Sequence, residues 1–384
     1  MRPDILMLAL ASTASGITMR SVEAMLPELA RTFSVSVPAV ASVITAFALA
    51  TGLGQLMHGA LGDRYGKLRM VCIVLGGAAF LAASCALAQT LTQLSVLRFL
   101  TGLLNSAPVM LGIAYIADTV PIEERQPVVA QFVSGSIIGQ SLGPLLGGVL
   151  TDLVGWRATF VASGVLLGAI SAGLWVRTRT LWNQGPRTTG ALISLSRYAG
   201  LLRLTKVRTT VISGLIETIF FFGIFSFSGA MLKERFDLSF TAIGLTLTGF
   251  GIGGLVFTLT VRGLLQRLGQ RRFVLVGGAI CTAGSLVMVL SPVWWLAPPC
   301  MIALGFAYYM VHNTLQIKAS EMAPHARGTG MSMFAFAWWV GQSFGATAMG
   351  VGVAAVGYTP MMIAFGLGFG ALGVWLYCNF KRLP

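Results

Sequence analysis

Charge is scarce in this chain: 10% of its 384 residues are Asp, Glu, Lys or Arg, and the 12 acids are outnumbered by 26 Lys and Arg. A soluble globular domain carries about 25% charged residues, so a water-exposed fold is excluded. Histidine is limited to His58, His312 and His325, far apart in sequence. The five cysteines (Cys72, Cys85, Cys281, Cys300 and Cys378) sit singly in apolar runs, without metal-ligand spacing. These shortages give no basis for an intramembrane enzyme, a metal centre or a disulfide framework, and the cysteines read as small membrane-buried residues. Strict polar–apolar alternation is also missing, which excludes a membrane β-barrel.

What remains is hydrophobic: 55% of residues are apolar or aromatic, and the mean hydropathy is +0.81. Runs long enough to cross a hydrocarbon layer of ~30 Å as helices fall near 5–26, 38–60, 70–89, 92–116, 128–150 and 157–176. A second set falls near 209–232, 240–261, 273–291, 295–317, 328–353 and 359–379. Arg2 ahead of the first run would suit a signal peptide, but the repeat described next needs that run as a lasting helix. With both termini on one side, loops of that side hold 20 of the basic residues, and the opposite loops hold only Arg31, Arg157, Lys233 and Arg235. This asymmetry places both termini in the cytoplasm. It makes the basic balance a matter of topology, with no nucleic acid as partner.

The chain repeats itself. "RTFSVS" (31–36) answers to "ERFDLS" (234–239), and "GDRYGKLR" (62–69) to "LQRLGQRR" (265–272), both at an offset of 203. "GQSLG" (139–143) answers to "GQSFG" (341–345) at 202, and Pro121 to Pro324. The reading is an all-α membrane protein of twelve transmembrane helices in two pseudo-symmetric six-helix bundles, 1–176 and 209–384. A basic cytoplasmic linker, 177–208, lies against anionic lipid between them. Parallel repeats of this kind place a binding site between the halves.

Two motifs carry a resemblance. "GALGDRYGKLRM" (59–70) has Gly59 and Gly66 for tight turning, Asp63 to cap the next helix or grip a neighbouring arginine, and Arg64, Lys67 and Arg69 as positive-inside charge. It resembles the loop signature of the major facilitator superfamily, with a degenerate second copy in which Gln266 stands where Asp63 does. In "GSIIGQSLGPLLGG", Gly135, Gly139, Gly143 and Gly147 recur every fourth residue, with Pro144 and Gly148 beside them. That spacing allows close helix packing and a bend. The pattern is similar to the motif of proton-driven antiporters of that superfamily, and "RFLTG" (98–102) is similar to their arginine-containing motif. The resemblance implies the major facilitator fold, transport rather than catalysis, and efflux of small drug-like molecules by alternating access. It also implies a bacterial cytoplasmic membrane, where the chain works as a monomer driven by the proton gradient without a cofactor. No asparagine-x-serine/threonine acceptor argues against that setting. Uptake of a metabolite by the same fold, or a non-transporting membrane sensor, stand as alternatives.

Charges inside the spans are the candidate working residues. Arg20, Glu23, Arg98 and Glu217 would each cost about 2.5–3.5 kcal/mol in lipid, so they pair or face water. Arg20 and Glu23 are three apart on one helical face, and Glu23 is expected to contact Arg98. In the second half, Glu217 and His312 are expected to face one another, with Asn313 nearby. Glu217 has no arginine expected beside it and is the acid expected to exchange protons, while Glu23–Arg98 senses or gates the cavity. Phe221 and Phe225 share a face with Glu217 and, with Trp338, are candidate substrate-lining residues.

Overall fold

The computed structural model describes residues 2–182 and 195–384. Its first bundle contains α1 (Pro3–Arg20), α2 (Leu26–Phe33), α3 (Val37–Tyr65), α4 (Lys67–Ser84), α5 (Leu91–Asn105), α6 (Ala107–Thr119), α7 (Ile122–Leu153) and α8 (Trp156–Thr178). A short helix, α9 (Leu195–Leu202), precedes the second bundle of α10 (Thr205–Phe236), α11 (Phe240–Leu290), α12 (Ala297–Glu321), α13 (Arg327–Val356) and α14 (Tyr358–Cys378). Among the described residues, nine helical segments are long and apolar enough to cross a membrane. One of these, α11, is two rods joined at Gly269; α1 with α2, and α13, bring the crossings to twelve. The expected linker begins and ends in helix, and its stretch 183–194 lies outside the described residues.

The duplication is visible in the backbone. Outside the helical region, positive φ occurs at Ser34 (53°) and Asp237 (49°), Gly66 (93°) and Gly269 (68°), Gly155 (103°) and Gly357 (85°). Every one of these belongs to a pair separated by 202 or 203 residues. Both members of the first pair end a helix in the left-handed conformation. Two residues later Ser36 and Ser239 each cap the next helix, accepting from Ala39 N and Ala242 N at 3.4 and 3.1 Å. Two copies of one sequence pattern therefore make the same turns at the same places.

Glycines set the distances between rods. A side chain at Gly139 or Gly143 would run into the backbone of α1 at Thr13 or Ile17, and one at Gly147 into Ser21 just past its end. Likewise, Gly341 and Gly345 of α13 lie against the carbonyls of Leu215 and Ile219 in α10. The same small-residue contact thus builds each half. The halves meet along two matching seams, α3 with α13 and α7 with α11. In one, Thr45 Oγ1 donates to the Ser343 carbonyl at 3.4 Å; in the other, Thr248 Oγ1 donates to the Ser141 carbonyl at 3.0 Å. These bonds are repeat mates.

Candidate functional site

Two helix breaks shape the centre. Pro27 cannot donate a hydrogen bond to the Glu23 carbonyl, and the first crossing is interrupted over 21–25, between α1 and α2. Pro108 follows the interruption at Ser106 between α5 and α6. Interrupted helices at mid-depth are where transporter sites form, because freed backbone groups can then face a cavity.

The charges expected near Glu23 are present but arranged differently from the sequence reading. Arg20 Nη1 donates to Glu23 Oε1 at 3.1 Å and Nη2 donates to Gln342 Oε1 of α13 at 2.9 Å, all of them buried. Arg98 does not bond to Glu23, which corrects that expectation. Its Nη1 and Nη2 donate to the carbonyls of Thr18 and Met19 at 3.0 and 3.3 Å, and its guanidinium lies 3.9 Å from the centre of the Phe47 ring. The physical reason is the break after Arg20: carbonyls in the last turn of α1 have no intrahelical donors, and the negative end of a helix draws a cation. Arg98 serves those carbonyls and leaves Glu23 to Arg20 alone.

In the second half, His312 Nδ1 lies 3.1 Å from Glu217 Oε2, as expected. Glu217 is wholly buried, its Oε1 has no hydrogen-bond partner among the described residues, and His312 is its only described partner. The imidazole stacks on Tyr308 at 5.1 Å, and Tyr308 Oη accepts from Trp338 Nε1 at 2.6 Å.

A cavity of about 280 Å³ lies between the halves. It occupies the parts of the helices nearer the termini, and the Arg20–Gln342 bond joins the halves beyond its deep end. One wall, from the first half, is polar: Ser15, Thr51, Gln55, Asn105, Ser136 and Gln140. The other is aromatic: Phe222, Tyr308, Tyr309, His312, Trp338 and Trp339. His312 and Trp338 therefore line the cavity as expected. Phe221 and Phe225 do not. They stack on each other and pack at a tilt against Phe250 inside the second bundle, while Phe222, turned by one residue, takes the lining position. Asn313 is turned away in the same manner, and Gln316, one turn beyond His312, faces the cavity. Arg20, Glu23, Arg98 and Glu217 stand behind the wall rather than in it.

The loop of residues 59–69 lies on the side of the termini. Gly66 makes the turn between α3 and α4. Asp63 neither caps α4 nor grips an arginine: its carboxylate pairs with Lys67 at 2.9 Å, and Lys67 also reaches Asp118 of α6 at 2.6 Å. The turn at Gly66 brings Lys67, the first residue of α4, back beside Asp63 in the last turn of α3, whereas Arg64 and Arg69 lie over Tyr65 and Trp182. Gly59 abuts Met110. On the far side, Gly148 and Pro144 of α7 lie against α11 at Phe240 and Gly244; nearer the termini, Gly135 lies against Ala9 of α1.

A cross-half clamp lies outside the expectations drawn from the sequence. Asp152, at the end of α7, accepts from Phe240 N at 3.1 Å, Thr241 N at 2.7 Å and Thr241 Oγ1 at 2.6 Å, capping α11 of the other half. Its available signal was an acid on a side nearly free of basic residues, directly after the glycine-rich run. Tyr308, Asn105 and Ser15 also lie outside those expectations; as uncharged residues inside spans they carry little signal without a known rotation of the helix.

Two pseudo-symmetric six-helix bundles around a cavity are the architecture of a membrane transporter. The sequence pattern of the Major Facilitator Superfamily matches residues 8–346 and again 210–382, and the chain belongs to that superfamily, whose members are transporters and not enzymes. It is 27% identical to the uncharacterized MFS-type transporter YwfA of Bacillus subtilis, over 98% of this chain and 94% of that one. It is 26% identical to the efflux pump radE of Floropilus chiversii over 64% of this chain, spanning about half (51%) of that pump's length. Among solved structures, a bacterial homolog of the human lysosomal transporter Spinster, in its inward-facing and unoccupied conformation, superimposes with a TM-score of 0.78 at 16% identity. That match covers 100% of this chain and 98% of the other.

Proposed function

We propose that this transporter exports small lipophilic molecules in exchange for protons, from a bacterial cytoplasm whose side carries both termini. The halves 1–176 and 209–384 rock about the central cavity, with 177–208 as the linker between them. The observation that carries the reading is the Glu217–His312 pair, a buried carboxylate whose one described partner is an imidazole in the cavity wall. An intramembrane carboxylate held by no fixed cation is a proton-relay candidate by default, and His312 connects it to the space where substrate sits. Glu23, already committed to Arg20, is the structural member of the set. It joins the halves through Arg20 and Gln342, as the gating role requires. The glycine–proline pattern of α7 and the efflux name of the radE relative support export over uptake. One proton moving electrogenically across 100 mV supplies ~2.3 kcal/mol, enough for roughly a fiftyfold gradient.

The test uses purified protein in liposomes with an imposed pH gradient and a fluorescent lipophilic dye. Export by exchange predicts dye movement against the proton flow, abolished by a protonophore and by Glu217→Gln. Full proton-driven movement in Glu217→Gln, with loss in Glu23→Gln, reverses the assignment of the two acids. Dye movement in the same direction as protons makes the protein an importer, and no flux at all makes it a sensor.

A further inference from the structure

We infer that the cavity accepts an uncharged, flat aromatic molecule of one or two fused rings that carries a hydrogen-bond donor on its edge. The inference rests on the transport reading above and names its substrate class.

The flatness follows from the aromatic wall. Tyr308 is fixed between His312, on which it stacks at an interplanar angle of 10°, and Trp338, which donates to its hydroxyl. Phe222 meets Trp338 edge-to-face at 5.5 Å, and Trp338 meets Trp339 the same way at 4.7 Å. Rings that hold one another in place form a preorganised face, which a second planar π-system covers without ordering any side chain. The volume sets the size: about 280 Å³ is just under the ~300–1,000 Å³ usual for ligand pockets.

The donor edge follows from two orphaned atoms. Asn105 is 5% exposed, and its Nδ2 donates to the Ser15 carbonyl at 3.0 Å, which fixes the amide with Oδ1 as the free atom. Among the described residues that Oδ1 has no partner, nor has the hydroxyl of Ser15, which is 3% exposed; both residues line the cavity. A buried amide oxygen without a donor is costly. A site built this way discriminates strongly between a ligand that supplies an N–H or O–H and one that does not.

Neutrality follows from where the charges are. Among the described residues that line the cavity there is no Asp, Glu, Lys or Arg. The guanidinium of Arg20 lies 4.3 Å from the centre of the Phe222 ring, held by Glu23 and Gln342. That ring is already engaged with a cation, so it offers little to another. Arg98 is spent on the carbonyls of α1, and Glu217 is wholly buried behind His312 and outside the lining, so neither an anion nor a cation meets a counter-charge at the wall, and desolvating either goes uncompensated.

Four probes test this on the purified full chain in lipid nanodiscs, with binding followed by equilibrium dialysis and no ion gradient. They are 7-aminocoumarin (neutral, with an N–H edge), coumarin (neutral, no donor), coumarin-3-carboxylate (anion) and 1-methylquinolinium (flat cation). The expected result is saturable binding of 7-aminocoumarin, about tenfold tighter than each of the other three. In Asn105→Leu, and separately in Ser15→Ala, the affinity ratio of 7-aminocoumarin to coumarin falls toward one, with a thermal unfolding transition confirming that each variant is folded. Tighter binding of either ion, or an unchanged ratio in both variants, overturns the assignment. Because no gradient is present, this outcome is independent of coupling. Selective binding without proton-driven flux sinks the exporter reading and leaves the ligand class standing; proton-driven flux confined to the charged probes does the reverse.

Discussion

The Asp152 clamp gives the most direct handle on alternating access. The carboxylate receives three hydrogen bonds from Phe240 and Thr241 across the seam between the halves. They exist only while the side away from the termini is closed, because α7 and α11 belong to different bundles. Asp152 is exposed, so water competes for it, and the scale is that of a helix cap: replacement by Ala costs about 0.5–2 kcal/mol. At about 1–2 kcal/mol the ratio of closed to open forms falls roughly five- to thirtyfold. The repeat mates of Asp152 and Thr241 are Ala354 and Pro38, and Pro38 has no N–H, so the other seam has no equivalent bond to compensate. Spin labels at Val35→Cys and Leu290→Cys, one on each half, report the opening by pulsed electron resonance once the exposed Cys378 is replaced by Ser. Asp152→Ala is expected to increase the long-distance population by the stated factor. An unchanged distance distribution would refute the argument that this carboxylate holds the far side shut.

Three further perturbations discriminate among the roles assigned above. Glu217→Gln is expected to abolish transport driven by an imposed pH gradient while leaving exchange of labelled for unlabelled substrate measurable in liposomes; loss of both would place the residue in binding rather than coupling. Arg20→Ala leaves Glu23 buried without its cation, a loss of about 3–5 kcal/mol, whereas Gln342→Ala removes only the bond between halves and costs about 1 kcal/mol; thermal unfolding in detergent should rank them in that order. Gly139→Val pushes α7 off the Thr13 carbonyl and should destabilise by about 1–3 kcal/mol, seen as lower yield of monodisperse protein in size-exclusion chromatography.

Much of the architecture is legible in the residues because membrane insertion and duplication both leave periodic marks. Hydrophobic runs mark the thickness of the hydrocarbon, and the repeats at 31–36 and 234–239 mark helix ends that recur with the same backbone angles. The runs understate helix length: α7 begins at Ile122 and α10 at Thr205, earlier than the apolar stretches at 128 and 209, since hydrogen bonding continues past the lipid boundary. The Glu217–His312 contact is legible because polar side chains inside the spans need partners and these two lie across equivalent gaps of the repeat. The Arg98 contact is not, because the break after Arg20 creates carbonyl acceptors that composition does not reveal. Helix rotation is the other hidden quantity. In the run Phe220–Phe221–Phe222, each step turns the side chain by about 100°, and the sequence holds nothing that says which ring meets the cavity.

The repeat also explains how one scaffold obtains two unlike walls. Asn105 and Tyr308 are mates at the offset of 203, as are Ser106 and Tyr309, and Met19 and Phe222; Ser136 and Trp338 are mates at 202. All eight line the cavity. Backbone symmetry therefore brings equivalent positions to face one another, while side-chain identity makes one face polar and the other aromatic. The charged residues break the symmetry entirely: Glu217 stands opposite Ala14 in the repeat, Glu23 opposite Ser226, and Arg98 opposite Met301. Rocking between two symmetric halves needs only matching seams, which the Thr45–Ser343 and Thr248–Ser141 bonds supply. Coupling that motion to protons requires chemistry in one half that the other lacks, for if both halves titrated alike neither would favour one state over the other. The Glu217–His312 pair is confined to the second half, beside the aromatic wall, and under the exchange proposed above this confinement is what would let protonation bias the rocking.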